Sequence, residues 1–376
     1  MQRLWTVSLD SDLDQVRGVV DFLQGEFCPD GSDPIWSREY FEWKLGLSNP
    51  AGKGYIAIAE IDGEIVGTVS LTRKRILVNG EEIEGGEVGD SYSAASARRT
   101  SRAKELATDS EPDDYVNKSI FGRLASEVRA KAESDGVSMI YGAPNENAYP
   151  GWVKRLGYFD AECTVLPSLF RPTTAYLTNR FPRLSLLSPL LRQFELLEIY
   201  LRKVIVLQYM NRELSISPGF PTNEELADLW NAEKPLSGFS LVRDAEYWNH
   251  RYIANPLASY DSFRILSEGK FAGVLICRRH RVDNGRTYLS IVEWMVNDSI
   301  SFDAIIAFVH DHYRNAGVDV FNLWCSASGT EIQSMKRSVY THRGSKHIVI
   351  ADTPNAEFLK PGDERFRFYL GSSDAV

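Results

Sequence analysis

The chain reads as an α/β protein of the α+β kind, with two tandem domains that each hold a mixed, mostly antiparallel sheet flanked by helices. Three observations predict this. The segment REYFEWKLGLSNPAG (38–52) returns as AEYWNHRYIANPLAS (245–259). The turns after it return in the same order at nearly constant spacing. In each half a helix-periodic run ending at Gly follows the third strand-like run. At 376 residues the chain also exceeds the usual size of one core.

Each unit opens with a helical region. The aromatic segment follows, and Tyr40, Phe41 and Trp43 predict a helix whose aromatic face covers the sheet. Asn49-Pro50 stops it, because a residue before proline avoids the helical region. Trp43 is also the residue placed to line an acceptor pocket. The alternating runs YIAIAEI and SFRILSE come next, each leading to a Gly turn: Gly63–Gly67 recurs as Gly269–Gly273, 206 positions on. Asn79-Gly80 recurs as Asn284-Gly285, 205 positions on, and Asn-Gly is a strong hairpin signal. The helices then place Ile120, Leu124, Val128 and Ala132 on one face, and Ile305, Phe308, Val309 and Tyr313 on the other unit's face. They end at Gly136 and Gly317, 181 positions apart. The first unit therefore has 24 extra residues (205 − 181) before its helix, near the basic run of Arg98, Arg99, Arg102 and Lys104. After each helix comes a strand (SMIYGA, VFNLWCS), which the crossover makes parallel to the third strand. A short helix and a closing strand finish each unit. The boundaries are 1–170, a connecting helix and strand at 171–214, and 215–376.

Composition narrows the function classes. A net charge of −9 argues against general nucleic-acid binding. Cys28, Cys163, Cys277 and Cys325 are too scattered for a zinc site or disulfide framework, and read as small buried hydrophobes. The six histidines all lie in the second half and form no metal pattern, so no metal is expected. A histidine serving as base has to reach across the interface. The N-terminus lacks the pattern of a signal peptide, so the cytoplasm is the default location. The most apolar stretch, 184–209, contains Pro189, Arg192, Glu195, Glu198, Arg202 and Lys203, so no stable membrane insertion is expected. It reads either as an amphipathic helix packed between domains or as a membrane-surface or dimer helix. Homo-oligomerisation is left open.

The closing stretch PNENAYPGWVKRLGY, together with EVGDSYS, IFGRL and GVSMIYGA, resembles the GNAT (GCN5-related N-acetyltransferase) superfamily. The resemblance covers about 1–170 well and 215–350 in outline. It implies transfer of an acetyl or other acyl group from acyl-CoA to an amine of a small metabolite or amino sugar, with acetyl-CoA or coenzyme A as co-substrate. The pyrophosphate site that the family forms at a helix start falls on Lys118, Ser119, Ile120, Phe121 and Gly122. Ser119 stands where a glycine is usual, and no Arg or Gln opens the motif. Ser119 also reads as a plain helix cap. Asp90 and Glu87 are the candidate bases, and strand alternation predicts that they face opposite sides of the sheet. The tyrosine expected as acid falls on Val153, with Tyr149 one turn earlier as its substitute. Asn145 and Asn147 suit the CoA arm or helix capping. In the second unit Ser338-Val339-Tyr340 replaces Leu156-Gly157-Tyr158, and Asp298 and Asp303 stand where phosphate would bind, so that copy reads as degenerate. Two other readings stay open: a non-catalytic pair of such folds, and an aminoacyl-tRNA-dependent transferase, which needs a basic groove.

Overall fold

Alternation of apolar and polar residues becomes a long meander in the computed structural model. The structure describes residues 5–10, 13–28, 36–95, 97, 119–161, 165–170, 174, 177–178, 181–194, 197, 214–234, 238–281, 287–297, 300–313, 316–318, 320–326, 341–342, 347–351 and 368–373. Strand β1 (Trp5–Asp10) leads into helix α1 (Leu13–Phe27), and the first aromatic segment forms helix α2 (Arg38–Leu45). Ser37 caps α2 by accepting from the Tyr40 amide. Strands β2 (Tyr55–Ile61), β3 (Glu64–Val78) and β4 (Glu81–Ser93) then pair antiparallel. Both residues of the turns Asp62-Gly63 and Asn79-Gly80 have positive φ, the backbone a tight hairpin needs. Helix α3 (Ile120–Ser134) buries Ile120, Leu124, Val128 and Ala132, as their spacing predicts. It crosses to β5 (Met139–Gly142), parallel to β4. A short π-helical turn (Gly151–Arg155) and β6 (Phe159–Asp160) follow.

The plan then recurs. After β7 (Val165–Phe170), β8 (Leu214–Pro218), helix α4 (Asn223–Glu233), β9 (Phe239–Leu241) and helix α5 (Ala245–Trp248) comes the second meander. Its strands are β10 (Asp261–Ser267), β11 (Lys270–Arg281) and β12 (Thr287–Val296). Helix α6 (Phe302–Tyr313) crosses to β13 (Val320–Ser326), parallel to β12. Strands β14 (Thr341–His342) and β15 (Val349–Ile350) end the series.

The closing strands depart from the sequence reading, in which each unit completes its own sheet. Among the described residues one sheet runs β1-β2-β3-β4-β5-β15-β6, with β9 added to β3, and the other runs β14-β7-β13-β12-β11-β10-β8. Strand β7 therefore joins the second sheet beside β13, while β15 slots between β5 and β6 of the first. The reason lies in the run HIVIA. Ile348 and Ile350 enter the apolar core between the two halves, and Val349 and Ala351 enter the core under α3. A strand apolar on both faces belongs inside a sheet covered on both sides.

Pairs at equivalent positions reinforce the repeat. Tyr55 donates to Asp135 at 2.6 Å, tying the start of β2 to the end of α3. Tyr313 donates to Asp261 at 2.6 Å, tying the start of β10 to the end of α6 with donor and acceptor exchanged. The aromatic segments also meet each other. Trp43 and His250, 207 positions apart, stack with ring centroids 4.9 Å apart, and the Trp43 indole N–H donates to the His250 carbonyl at 2.9 Å. Equivalent positions in mutual contact are what packing about a pseudo-two-fold axis produces. The shared core draws Ile76, Met139 and Tyr141 from one half and Trp230, Trp248 and Ile276 from the other.

Cys28, Cys277 and Cys325 are buried and unbridged, as expected; Cys163 lies outside the described residues. No helix among the described residues is long and apolar enough to cross a membrane. The expected packing of the connecting stretch between the two halves is corrected over its described part. Residues 181–194 form a 3-10 turn (Pro182–Leu187) and a helical stretch at 188–194, and none of them is buried.

Candidate functional site

The site is built around a β-bulge. Thr68 faces Tyr92 and Ser70 faces Gly89, so Asp90 and Ser91 together oppose Val69. Asp90 takes a left-handed φ of 46° there. Its carboxylate accepts from Lys44 Nζ at 2.7 Å and from Ser70 Oγ at 2.5 Å, and its carbonyl accepts from Thr68 Oγ1 at 2.8 Å. Ser70, Thr72 and Lys74 share one face of β3 by alternation. Lys74 reaches Glu87 at 3.3 Å on that same face. The expectation that Glu87 and Asp90 face opposite sides is therefore wrong: the extra residue of the bulge rotates Asp90 onto the Glu87 side. Glu87 is buried there, and Ser373 Oγ donates to it at 2.7 Å.

A gap lies beside the bulge. Strands β4 and β5 pair from Gly85–Met139 to Glu87–Tyr141, and among the described residues no strand pairs with that edge of β4 through Val88–Ser93. The first turn of α3 stands at the far end of this gap. A side chain at Gly67 would meet both Ile120 and the Tyr92 carbonyl, which locates that turn against β3 and β4. Ser119 caps α3 by accepting from the Gly122 amide at 3.2 Å. The first intrahelical bond is Arg123 N–H to the Ser119 carbonyl, so the amides of Ile120 and Phe121 have no acceptor among the described residues. Those two donors and the helix dipole fit an anionic group such as a phosphate. Phe121 packs edge-on against Trp152 at 5.1 Å. Lys118 and the basic run at Arg98, Arg99, Arg102 and Lys104 lie outside the described residues.

Three side chains converge beyond the end of β5. Asp160 Oδ2 accepts from Tyr149 at 2.9 Å and stands 2.5 Å from His347 Nδ1. The Tyr149 and His347 rings are 4.1 Å apart. The His347 side chain keeps 43 % exposure. Strand β15 brings this histidine from the second half to the first sheet, two residues before Val349 pairs with Gly142 and Asp160. Tyr149 thus directs its hydroxyl at Asp160. Asn145 takes the capping role, accepting from the amides of Asn147 and Ala148 at 3.1 and 2.9 Å.

On the Asp90 side of the sheet a narrow cleft with about 40 Å³ of accessible space opens between the halves. Trp43, Lys44, Asn49, Thr72, His250 and Arg251 are among its walls. The second half fills the corresponding place with its own side chains. Asp90 stands three residues before Ser93, the partner of Gly67, and Glu293 stands three before Val296, the partner of Gly273. Glu293 has no exposed surface. It accepts from Tyr247 at 2.7 Å and from Tyr252, and Arg243 Nη1 lies 3.5 Å away. Burial, with Glu293 beside them, pushes both tyrosine hydroxyls well above their usual range and keeps them donors. Burial works against the charge of Arg243, but Glu233, Tyr369 and Glu293 raise it above the ordinary range.

The chain matches no family model and no curated protein. Solved structures do match. A conserved Enterococcus faecalis protein described as a probable N-acyltransferase superposes with a TM-score of 0.61 at 13% identity, over 94% of this chain and 74% of that one. A GCN5-related N-acetyltransferase from Anabaena variabilis gives 0.54 at 12% identity, over 92% and 72%. N-myristoyltransferase from Saccharomyces cerevisiae with bound myristoyl-CoA gives 0.55 at 11% identity, over 92% and 82%. The chain has the fold of the GCN5-related N-acetyltransferases. Within this GNAT fold, sequence reasoning named Asp90 and Glu87, which lie on β4, Tyr149, which lies beyond the end of β5, and the start of α3. It missed Lys44, Asp160 and His347. Lys44 was legible as a cation inside the repeated aromatic segment, but the pairing of Asp160 with His347 has no local signal.

Proposed function

We propose that the protein is an acyl-CoA-dependent N-acyltransferase, with the donor in the gap between β4 and β5 and a small amine entering from the cleft between the halves. The observation that carries this reading is the gap itself. Among the described residues it has a strand edge with no paired strand at Val88–Ser93, a bulge at Asp90, and two amide donors at the start of α3. A pantetheine arm, which carries amides, suits an open strand edge, and a pyrophosphate suits the helix start. In the reaction the amine nitrogen bonds to the acyl carbon, the carbon–sulfur bond breaks, the amine loses a proton and the sulfur gains one. Asp90, held by Lys44 and Ser70, offers a carboxylate on the cleft side. His347, held by Asp160, offers an imidazole on the donor side, the role that sequence reading gave to Tyr149. The second half then acts as a wall of the acceptor site: its Asp90 counterpart, Glu293, is spent on internal contacts. The test is release of the CoA thiol from acetyl-CoA and longer acyl-CoAs across a panel of primary amines. Amine-dependent release is the expected result. Acyl-CoA binding without release for any amine contradicts catalysis and leaves a binding protein.

A further inference from the structure

The segment that joins the two halves carries large apolar side chains that stay exposed. Leu186 is 88% exposed, Leu190 58% and Phe194 62%, with Phe181 and Leu187 at least half exposed as well. The spacing of Leu186, Leu187, Leu190 and Phe194 gathers them on one helical stripe. Large side chains in water at this density are rare on a soluble surface unless something covers them. The charge of the region says what does. Between Glu162 and Glu195 lie four arginines (Arg171, Arg180, Arg183 and Arg192) and no Asp or Glu, in a chain with 51 acidic residues and a net charge of −9. Arg183 and Arg192 are exposed and have no ion-pair partner among the described residues.

We propose that residues 181–194 dock the protein on the surface of an anionic lipid membrane. The leucines and Phe194 enter the boundary between headgroups and acyl chains, and the arginines meet lipid phosphates. A short amphipathic helix with basic flanks binds an interface in this way without spanning it. The chain's overall negative charge keeps the rest of the molecule off such a surface, so attachment is local. The proposal is independent of the acyl-transfer reading, because its test does not measure turnover.

The test is co-sedimentation of the full chain with vesicles of phosphatidylcholine alone or mixed with phosphatidylglycerol. Binding to the mixed vesicles, weakened by salt, is expected. The double variant Leu186→Ser/Leu190→Ser should weaken it by at least about tenfold. Arg183→Gln and Arg192→Gln should each weaken it by roughly fivefold. Thermal unfolding of the variants should match the parent, since these side chains touch no core. Equal binding to both vesicle types, or none to either, overturns the proposal. So does a solution dimer, seen by light scattering, that the leucine variant dissociates, or a fall in the unfolding temperature of that variant.

Discussion

Replacing His347 by Gln lowers kcat/KM for acyl transfer by about 10²–10⁴-fold while the KM for acyl-CoA stays in place. Glutamine keeps the size and a hydrogen bond to Asp160 but cannot carry a proton. The effect follows from the geometry at the end of β5. Asp160 fixes the imidazole through Nδ1, which leaves the other ring nitrogen to act, and the side chain is open enough to meet a ligand. Asp160→Asn keeps the imidazole but removes the carboxylate that holds it, so it should also lower kcat/KM, by less. Parental activity in His347→Gln would remove the histidine from the reaction. Because the side chain is nearly half exposed, folding stability should change little.

Removing Glu293 should have the largest effect on stability, at about 3–5 kcal/mol for Glu293→Ala. The carboxylate is fully buried and gathers Tyr247, Tyr252 and Arg243. Its loss takes the acceptor from the Tyr252 hydroxyl, leaves Tyr247 only the Gly371 carbonyl at 3.3 Å, and weakens the compensation of a buried guanidinium, which Glu233 and the Trp294 carbonyl only partly restore. The exposed Arg38–Glu42 pair serves as the comparison, and Glu42→Ala should cost under about 0.5 kcal/mol. Urea denaturation followed by tryptophan fluorescence separates the two. Equal costs for both variants would mean that Glu293 does not organise the second half.

Much of this architecture is legible in the sequence, because it rests on local periodicity. Alternating runs, two-residue turns with Gly, and helices stopped at Gly136 and Gly317 recur in register, and those among the described residues appear where the spacing puts them; the Asn284-Gly285 turn lies outside the described residues. The closing strands are different. A two-residue strand such as Val349–Ile350 says that it is buried but not which sheet receives it, since either parallel pair offers a free edge. The site is legible to the same extent. Asp90 could be picked as a carboxylate at the end of a Gly-containing strand, but one inserted residue inverts the alternation rule, and the sequence does not mark where that residue falls. Asp160 and His347 stand 187 positions apart and meet only because of the strand exchange. The opening feature, the doubled aromatic segment, turns out to build the interface: Trp43 and His250 stack on each other, and Trp43 lines the cleft as well.

Amide hydrogen exchange with and without acyl-CoA tests whether a donor is held between β4 and β5. Protection should appear at Val88–Ser93 and Ile120–Gly122, with the matching residues of β12 and the start of α6 unchanged. Saturating acyl-CoA that protects neither segment, or protects only the second half, would contradict it.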